Sequence, residues 1–302
     1  MASELSSRFI SIVIPTYNRA ARLQECLASL TRLDYPRELF EVIVVDDGSP
    51  SRVEDVIEPF RNQLDLTLLV QCNRGPGVAR NMGAARACGA LLAFIDDDCC
   101  ADPHWLRSLV ARAEEAPGAM VGGRITNALP DNVFSTASQQ LVDFLYRYYN
   151  PHVDRARFFC SNNMAAPADL FTRLGRFDTT YTEKAAGEDR ALCDKWLQRG
   201  HPLVYATNAV VYHTHHLTLA TFWLQHFGYG QGAYNFRRQR AGWTSAPVRF
   251  EGLSFYIKLV ISPFARSRSA RAFQLAGLLA VTQVANIAGF CWEVMGRLAT
   301  RQ

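Results

Sequence analysis

Between residues 10 and 95, short apolar runs alternate with helical stretches, and no other feature constrains the fold as much. The runs are ISIVI (10–14), EVIVV (41–45), LTLLV (66–70) and LLAFI (91–95). Between them, RAARLQECLASL (19–30) puts Leu23, Leu27 and Leu30 on one helical face. SRVEDVIEPF (51–60) and VARNMGAARACGA (78–90) also read as helices. Strands joined through helices predict a parallel sheet with right-handed crossovers. Such sheets bind ligands at the carboxyl ends of their strands. All four runs lead into polar residues: Thr16-Tyr17-Asn18, Asp46-Asp47, Asn73-Arg74 and Asp96-Asp97-Asp98. Four strand ends therefore aim polar groups at one edge.

The last of these ends is the most demanding. Three adjacent carboxylates repel one another, and each costs solvation if partly buried. A bound cation is the expected compensation. Asp96 and Asp98 have the D-x-D spacing that lets both side chains face one way along an extended segment. Hard oxygen ligands suit Mg²⁺ or Mn²⁺, which bridge substrate phosphates. The alternative is that the three acids only cap the next helix, near Pro103. Cys99-Cys100 adds a candidate pair of soft-metal ligands. His213, His215 and His216 form H-x-H-H, without a clear third and fourth zinc ligand.

Other motifs are weaker alone. Asp46-Asp47-Gly48-Ser49 is a good turn sequence. NRGPGVARNMG (73–83) lacks the Gly-Lys-Ser/Thr of a P-loop, and Arg80 stands where G-x-G-x-x-G needs its last glycine. ATP hydrolysis and a dinucleotide cofactor are thus disfavoured. Arg80 either contacts a diphosphate or pairs with an aspartate of the strand-end cluster. Glu188-Asp189 open a helix that ends near Gly200, where acids suit the helix dipole.

The second half is less regular. Residues 203–206 and 209–216 read as short strands, and 218–240 as an aromatic-rich helix. On that helix Trp223, His226, Phe227, Tyr229 and Tyr234 suit a core better than a sugar-stacking surface. Residues 273–292 carry no charge for twenty positions, just enough to span a bilayer. Gln274, Gln283 and Asn286, with much Ala and Gly, favour a helix at an interface or packed on the body. From Arg237 onward, ten Arg and Lys face two acids, so this part is +8 and the rest −4, for a net +4. The run 254–264 with Arg266, Arg268 and Arg271 would give peripheral membrane contact its electrostatic half; a solvated helical face is the alternative.

A chain of 302 residues, 49% hydrophobic and 20% charged, can build one large α/β domain or two small ones. Its eight cysteines form no C-x-x-C pair, so reduced, mostly buried thiols in a cytoplasmic protein are expected. The opening MASELSSRF lacks the layout of a signal peptide.

Taken together, SIVIPTYNRAARLQECLASL, EVIVVDDGS, NRGPGVARNMGAA, FIDDD, SNNMA, GRFD and GEDRALC, in this order over residues 9–200, resemble the inverting family 2 glycosyltransferases. AVVYHTHH…FWLQHFGYGQGA is similar to one bacterial branch of that family. The resemblance implies an α/β GT-A fold, Rossmann-like, with a mostly parallel central sheet flanked by helices. It implies a domain over 1–236, with a nucleotide-binding half (8–120) and an acceptor half (121–236), followed by a helical extension over 237–302. It implies metal-dependent transfer of a hexose from a nucleotide-diphosphate sugar, UDP-linked by analogy, to a hydroxyl of a glycan, lipid or small molecule. No nucleic-acid partner is expected.

Residue roles follow from the same resemblance. Asp98 would bind Mn²⁺ or Mg²⁺ directly, Asp96 would reach the ribose or the metal through water, and Asp97 would bond local backbone N–H groups. His213 would complete the metal site. Asp47 would accept from the base N3–H, with Pro15, Thr16, Tyr17 and Asn18 around the nucleotide. Asp189 would be the catalytic base, oriented by Glu188, and Asn162 and Asn163 would line the sugar or acceptor pocket. Ala191 stands where the family often has another acid, which puts the acceptor contacts in doubt. Two rivals remain: a sugar nucleotidyltransferase, which would want an Arg/Lys-bearing glycine loop after the first strand, and a non-catalytic nucleotide-binding scaffold.

Overall fold

Strand β1 (Ile10–Thr16) is buried along its whole length, as is β2 (Phe40–Asp46). Continuous apolar runs of this kind need cover on both faces of a sheet. That cover comes from helices α1 (Ala20–Leu30), α3 (Pro76–Arg86) and α4 (Trp105–Glu115). The computed structural model describes residues 9–181, 187–244, 250–265 and 268–299; Arg266 lies outside them. With β3 (Leu66–Val70) and β4 (Leu91–Ile95), these strands form one parallel half in the order β3-β2-β1-β4. All four carboxyl ends therefore meet at one edge, as their polar residues predict. The helix expected over 51–60 is only one turn, α2 (Glu54–Ile57), followed by a tighter 3₁₀ turn that contains Pro59. Proline has no N–H to continue the α ladder.

Beyond β4 the sheet turns mixed. Its order continues through β7 (Asn163–Pro167), β6 (Met120–Asn127), β8 (Leu203–His213) and β5 (Cys99–Ala101). β7 is antiparallel to both β4 and β6, β6 and β8 are parallel, and β5 is antiparallel to β8. Four of the seven pairings are parallel, and all three antiparallel ones lie beyond β4. The two strands expected over 203–216 are one strand, whose pairing with β6 shifts register at Gly123/Arg124.

One large core cluster joins the sheet to its helices, with Trp105, Phe159, Phe171, Phe177 and Trp196 fully buried. The remaining helices are α5 (Val133–Tyr149), α6 (Ala168–Arg173), α7 (Glu188–Gln198), α8 (Leu219–Arg240), α9 (Leu253–Ile261) and α10 (Ala270–Ala299). Leu141 and Phe144 of α5 pack with Phe255 and Leu259 of α9 and Leu279 of α10. The domain boundary expected at residue 236 falls inside α8, which packs along α10. The helical extension is therefore continuous with the body. By length and composition α10 could cross a membrane, and 33% of its most apolar window is buried against the protein.

Candidate active site

The three aspartates sit in a turn after β4, closed by the Cys99 N–H donating to the Asp96 carbonyl (3.0 Å). They are not on an extended segment, and their side chains diverge. Asp96 accepts from Arg80 Nη2 at 2.6 Å. Asp97 accepts from the Thr16 hydroxyl (2.8 Å) and from Arg19 Nη1 (3.2 Å), not from local backbone N–H groups. Asp98 meets Arg19 Nη1 at 3.0 Å and His213 Nε2 at 3.3 Å. Each like charge thus has its own cationic neighbour within the chain. Arg19, which the motifs did not single out, pairs with two of the three aspartates.

The charges bend the titration of this cluster. Burial pushes the Asp97 carboxyl up to about 7, against the pull of Arg19. Burial would also raise Asp98, but His213 and then Arg19 outweigh it and hold Asp98 well below the ordinary carboxylate range. For His213, burial works downward and the Asp98 charge more than reverses it, so its pKa is raised. His215 stacks near His213, ring centroids 5.0 Å apart, and burial plus the His213 charge push it down to about 4.

Strand pairing explains why these groups meet. Cys99 of β5 stands opposite His213 of β8, so Asp98 arrives beside the imidazole. Asp98, Cys99 and His213 present ligand atoms within 4.8 Å of one another. Burial pushes the Cys99 thiol well up, which keeps it a protonated and poor ligand. Cys100 turns away, its thiol near the Glu25 carbonyl at 3.7 Å, so the two cysteines do not act as a pair. The buried Asn162 side-chain oxygen has no hydrogen-bond partner, while its amide nitrogen lies 3.7 Å from Cys99 Sγ. A carboxylate, an imidazole and a spare amide oxygen are a donor set that fits a small, hard divalent cation.

Arg80 makes the pairing that one of its two readings expects, and it also lines the cavity. Fully buried, it bridges Asp96 to Glu188, whose Oε1 lies 3.1 Å from Nη1. One guanidinium on α3 therefore ties the end of β4 to the start of α7. Glu188 Oε2 also accepts from the Gly187 N–H (3.0 Å). Asp189 accepts from the Arg190 N–H at 2.6 Å. Burial, then the neighbouring Glu188 charge, push the Asp189 carboxyl up to about 7.

The first-strand loop lies at the cavity. Pro15, Thr16 and Tyr17 line a cavity of about 1180 Å³, with Tyr17 partly exposed. Asn18 takes a left-handed φ of 53°, which asparagine tolerates, and its N–H donates to Ser49 Oγ (2.8 Å). Asp47 also lines the cavity, but it already accepts from Gln71 Nε2 (2.6 Å), the Arg74 N–H (2.9 Å) and the Gly75 N–H (2.8 Å). A carboxylate has about four acceptor positions, which leaves one for a ligand. Asp96, Asp98, Asn162, Glu188, Asp189 and His213 share the same cavity. Asn163 does not. It is fully buried, accepts from Trp105 Nε1 (2.8 Å), and donates to the Arg124 and Ala209 carbonyls (2.9 and 3.0 Å). Its work is to lock β6, β7 and β8 to α4.

All eight cysteines are free, but only Cys26, Cys99 and Cys193 are buried, fewer than expected. On α8, Phe222 and His226 belong to the core, whereas Tyr229 faces the cavity.

The family model for glycosyl transferase family 2 matches residues 11–172, more than half of the chain. The chain belongs to that family. Among curated members, it is 28% identical over 207 residues to the glycosyltransferase AglE of Haloferax volcanii, covering 68% of this chain and 66% of that protein. It is 32% identical over 222 residues to the validoxylamine A glucosyltransferase of Streptomyces hygroscopicus subsp. jinggangensis, covering 64% and 52%. The chain thus spans less than two thirds of either relative. Among solved structures, a mannosyltransferase from Pyrobaculum calidifontis, in complex with GDP-Man and Mn²⁺, superposes with a TM-score of 0.63 at 18% identity, over 93% of this chain and 87% of that one. At that identity the likeness establishes a shared GT-A fold.

Proposed function

We propose that this family 2 protein is a metal-dependent inverting glycosyltransferase, moving a hexose from a nucleotide-diphosphate sugar to a hydroxyl. One observation carries the reading. A single cavity holds both a half-buried carboxylate poised near neutrality, Asp189, and the Asp98–His213 pair at the strand ends. A general base works best when its pKa lies near the working pH. Asp189 takes the proton of the acceptor hydroxyl as that oxygen attacks the anomeric carbon. The bond to the diphosphate breaks on the opposite face, and its electrons leave with the phosphate oxygen. Glu188, fixed by Arg80, holds the first turn of α7 and raises the basicity of its neighbour. Asp98 and His213, with Asp96 alongside, would hold Mn²⁺ or Mg²⁺, which neutralises the charge that grows on the leaving diphosphate. Tyr17 offers a ring for the base, and Asp47 an acceptor for its N–H. UDP is the favoured carrier by analogy. The extension is read as a peripheral membrane contact on the cytoplasmic face.

The test is hydrolysis of UDP-, GDP- and dTDP-sugars with and without Mn²⁺, in wild type, Asp98→Ala and Asp189→Asn. The reading expects slow, metal-dependent cleavage of one donor that Asp98→Ala abolishes. Metal-independent cleavage, or none with any donor or acceptor, would sink it.

A further inference from the structure

The cavity does not end at the strand edge. It continues into an arm walled by Leu141 and Leu145 of α5, Leu253 and Leu259 of α9, and Ile287 and Phe290 of α10. The phosphates and hydroxyls of a nucleotide sugar gain nothing from so extended an aliphatic wall. Leu253 and Ile287, at 74% and 64% exposure, line the arm and also stand on the outer surface. The arm therefore opens onto exposed apolar surface of the extension.

Two cations line the same arm without a carboxylate partner among the described residues. Arg190 lies over the rings of Tyr149 and Phe236 (5.6 and 4.9 Å), and Arg237 over Phe250 and Phe290 (3.8 and 5.3 Å). Arg237 Nε is buried and makes no hydrogen bond. The nearby Glu251 carboxylate accepts instead from the hydroxyls of Tyr148 (2.6 Å) and Tyr149 (2.9 Å). Burial, then the Arg190 charge, lower the pKa of Arg237 from its ordinary value. Two guanidiniums in one part-buried wall, each over aromatic rings and neither paired with a carboxylate among the described residues, form a natural anion site. Arg190 lines the same cavity as the proposed base, Asp189.

Resting on the glycosyl-transfer reading above, we propose that the acceptor is an amphiphilic anion that also bears the hydroxyl to be glycosylated. Its hydrocarbon part lies in the arm between α5, α9 and α10, and Arg190 and Arg237 hold its phosphate or carboxylate group.

Calorimetric titration of the metal-free full-length protein with octyl phosphate, octanoate, 1-octanol and inorganic phosphate tests this. An octyl anion is expected to bind about tenfold or more tighter than 1-octanol and than inorganic phosphate, since charge-assisted contacts and chain burial each contribute that much. Whether octyl phosphate or octanoate binds better assigns the anionic group. Arg237→Gln is expected to remove most of the advantage over 1-octanol, while Arg238→Gln, on the exposed face of α8, keeps it. Leu253→Asn, at a position 74% exposed, removes apolar surface without adding charge and should weaken octyl phosphate while leaving inorganic phosphate unchanged. Equal binding of 1-octanol and the octyl anions overturns the anion site. Equal binding of inorganic and octyl phosphate overturns the apolar arm. Both comparisons use wild type, so a misfolded variant cannot hide the answer. Metal-dependent donor hydrolysis by wild type separates the two readings. Hydrolysis without amphiphile binding overturns this inference alone; binding without hydrolysis overturns the transfer reading and with it the acceptor role.

Discussion

Asp189 concentrates the chemistry at the residue scale. Its carboxyl is pushed up to about 7 by burial and by Glu188. The reactive form is the carboxylate, so activity should rise as pH passes through about 7 and level off above it. Asp189→Asn keeps the shape and removes the base; it should lower turnover roughly 10²- to 10⁴-fold and abolish the acidic limb of the profile. An unchanged limb in that variant would move the base elsewhere. The aspartate run announced in sequence that it needs compensation, and side chains of the same chain, Arg80, Arg19 and His213, stand beside it. Its partners were harder to read. Arg19 lies 77 or more positions from the run, and His213 more than 100. Nothing local in either residue announces an ion pair. Asn163 shows the opposite limit: the SNNMA motif contains two asparagines, and only the fold decides that one faces the cavity and the other ties three strands together.

Among the elements, the parallel half was legible because its strands are β-branched runs between amphipathic helices. Of the mixed half only β8 (Leu203–His213) was. β7 is NMAAP, β5 is the three-residue CCA, and β6 contains Gly122-Gly123, so propensity does not mark any of them. Tertiary pairing makes them strands. The α8–α10 contact shows the same dependence on context. A Cβ on Gly230 would lie 2.0 Å from the Asn286 carbonyl oxygen, and one on Gly289 would lie 1.9 Å from that of Phe227. Gly277, on the same α10, meets nothing within 4 Å. Gly277→Ala should therefore stabilise the protein by up to ~1 kcal/mol, the ordinary gain of alanine in a helix. Gly289→Ala should instead destabilise it by about 1–3 kcal/mol, as overpacking does. Urea midpoints of the two variants measure this, and a shared sign would mean that α10 does not approach α8 so closely.

For the whole molecule, charge and apolar surface are divided alike. Residues 1–236 carry −4 and the remainder +8. The same C-terminal part exposes Phe250, Leu253, Ile257, Ile261, Phe273, Ile287, Trp292 and Leu298. Apolar side chains and basic groups on one extension are the two signals that peripheral membrane binding needs, each basic residue near an anionic surface adding about 1 kcal/mol. The acidic body would be held off that surface while the apolar arm of the cavity opens toward it. An amphiphile could then reach Asp189 without its chain entering water. The full-length protein should co-sediment with vesicles containing phosphatidylserine, bind neutral vesicles at least several-fold more weakly, and be released as salt screens the charges. Retention that resists both salt and alkaline washing would instead mark α10 as a membrane-crossing helix. Failure to bind either vesicle would leave the exposed apolar face to another partner and detach the membrane from this reading of the enzyme.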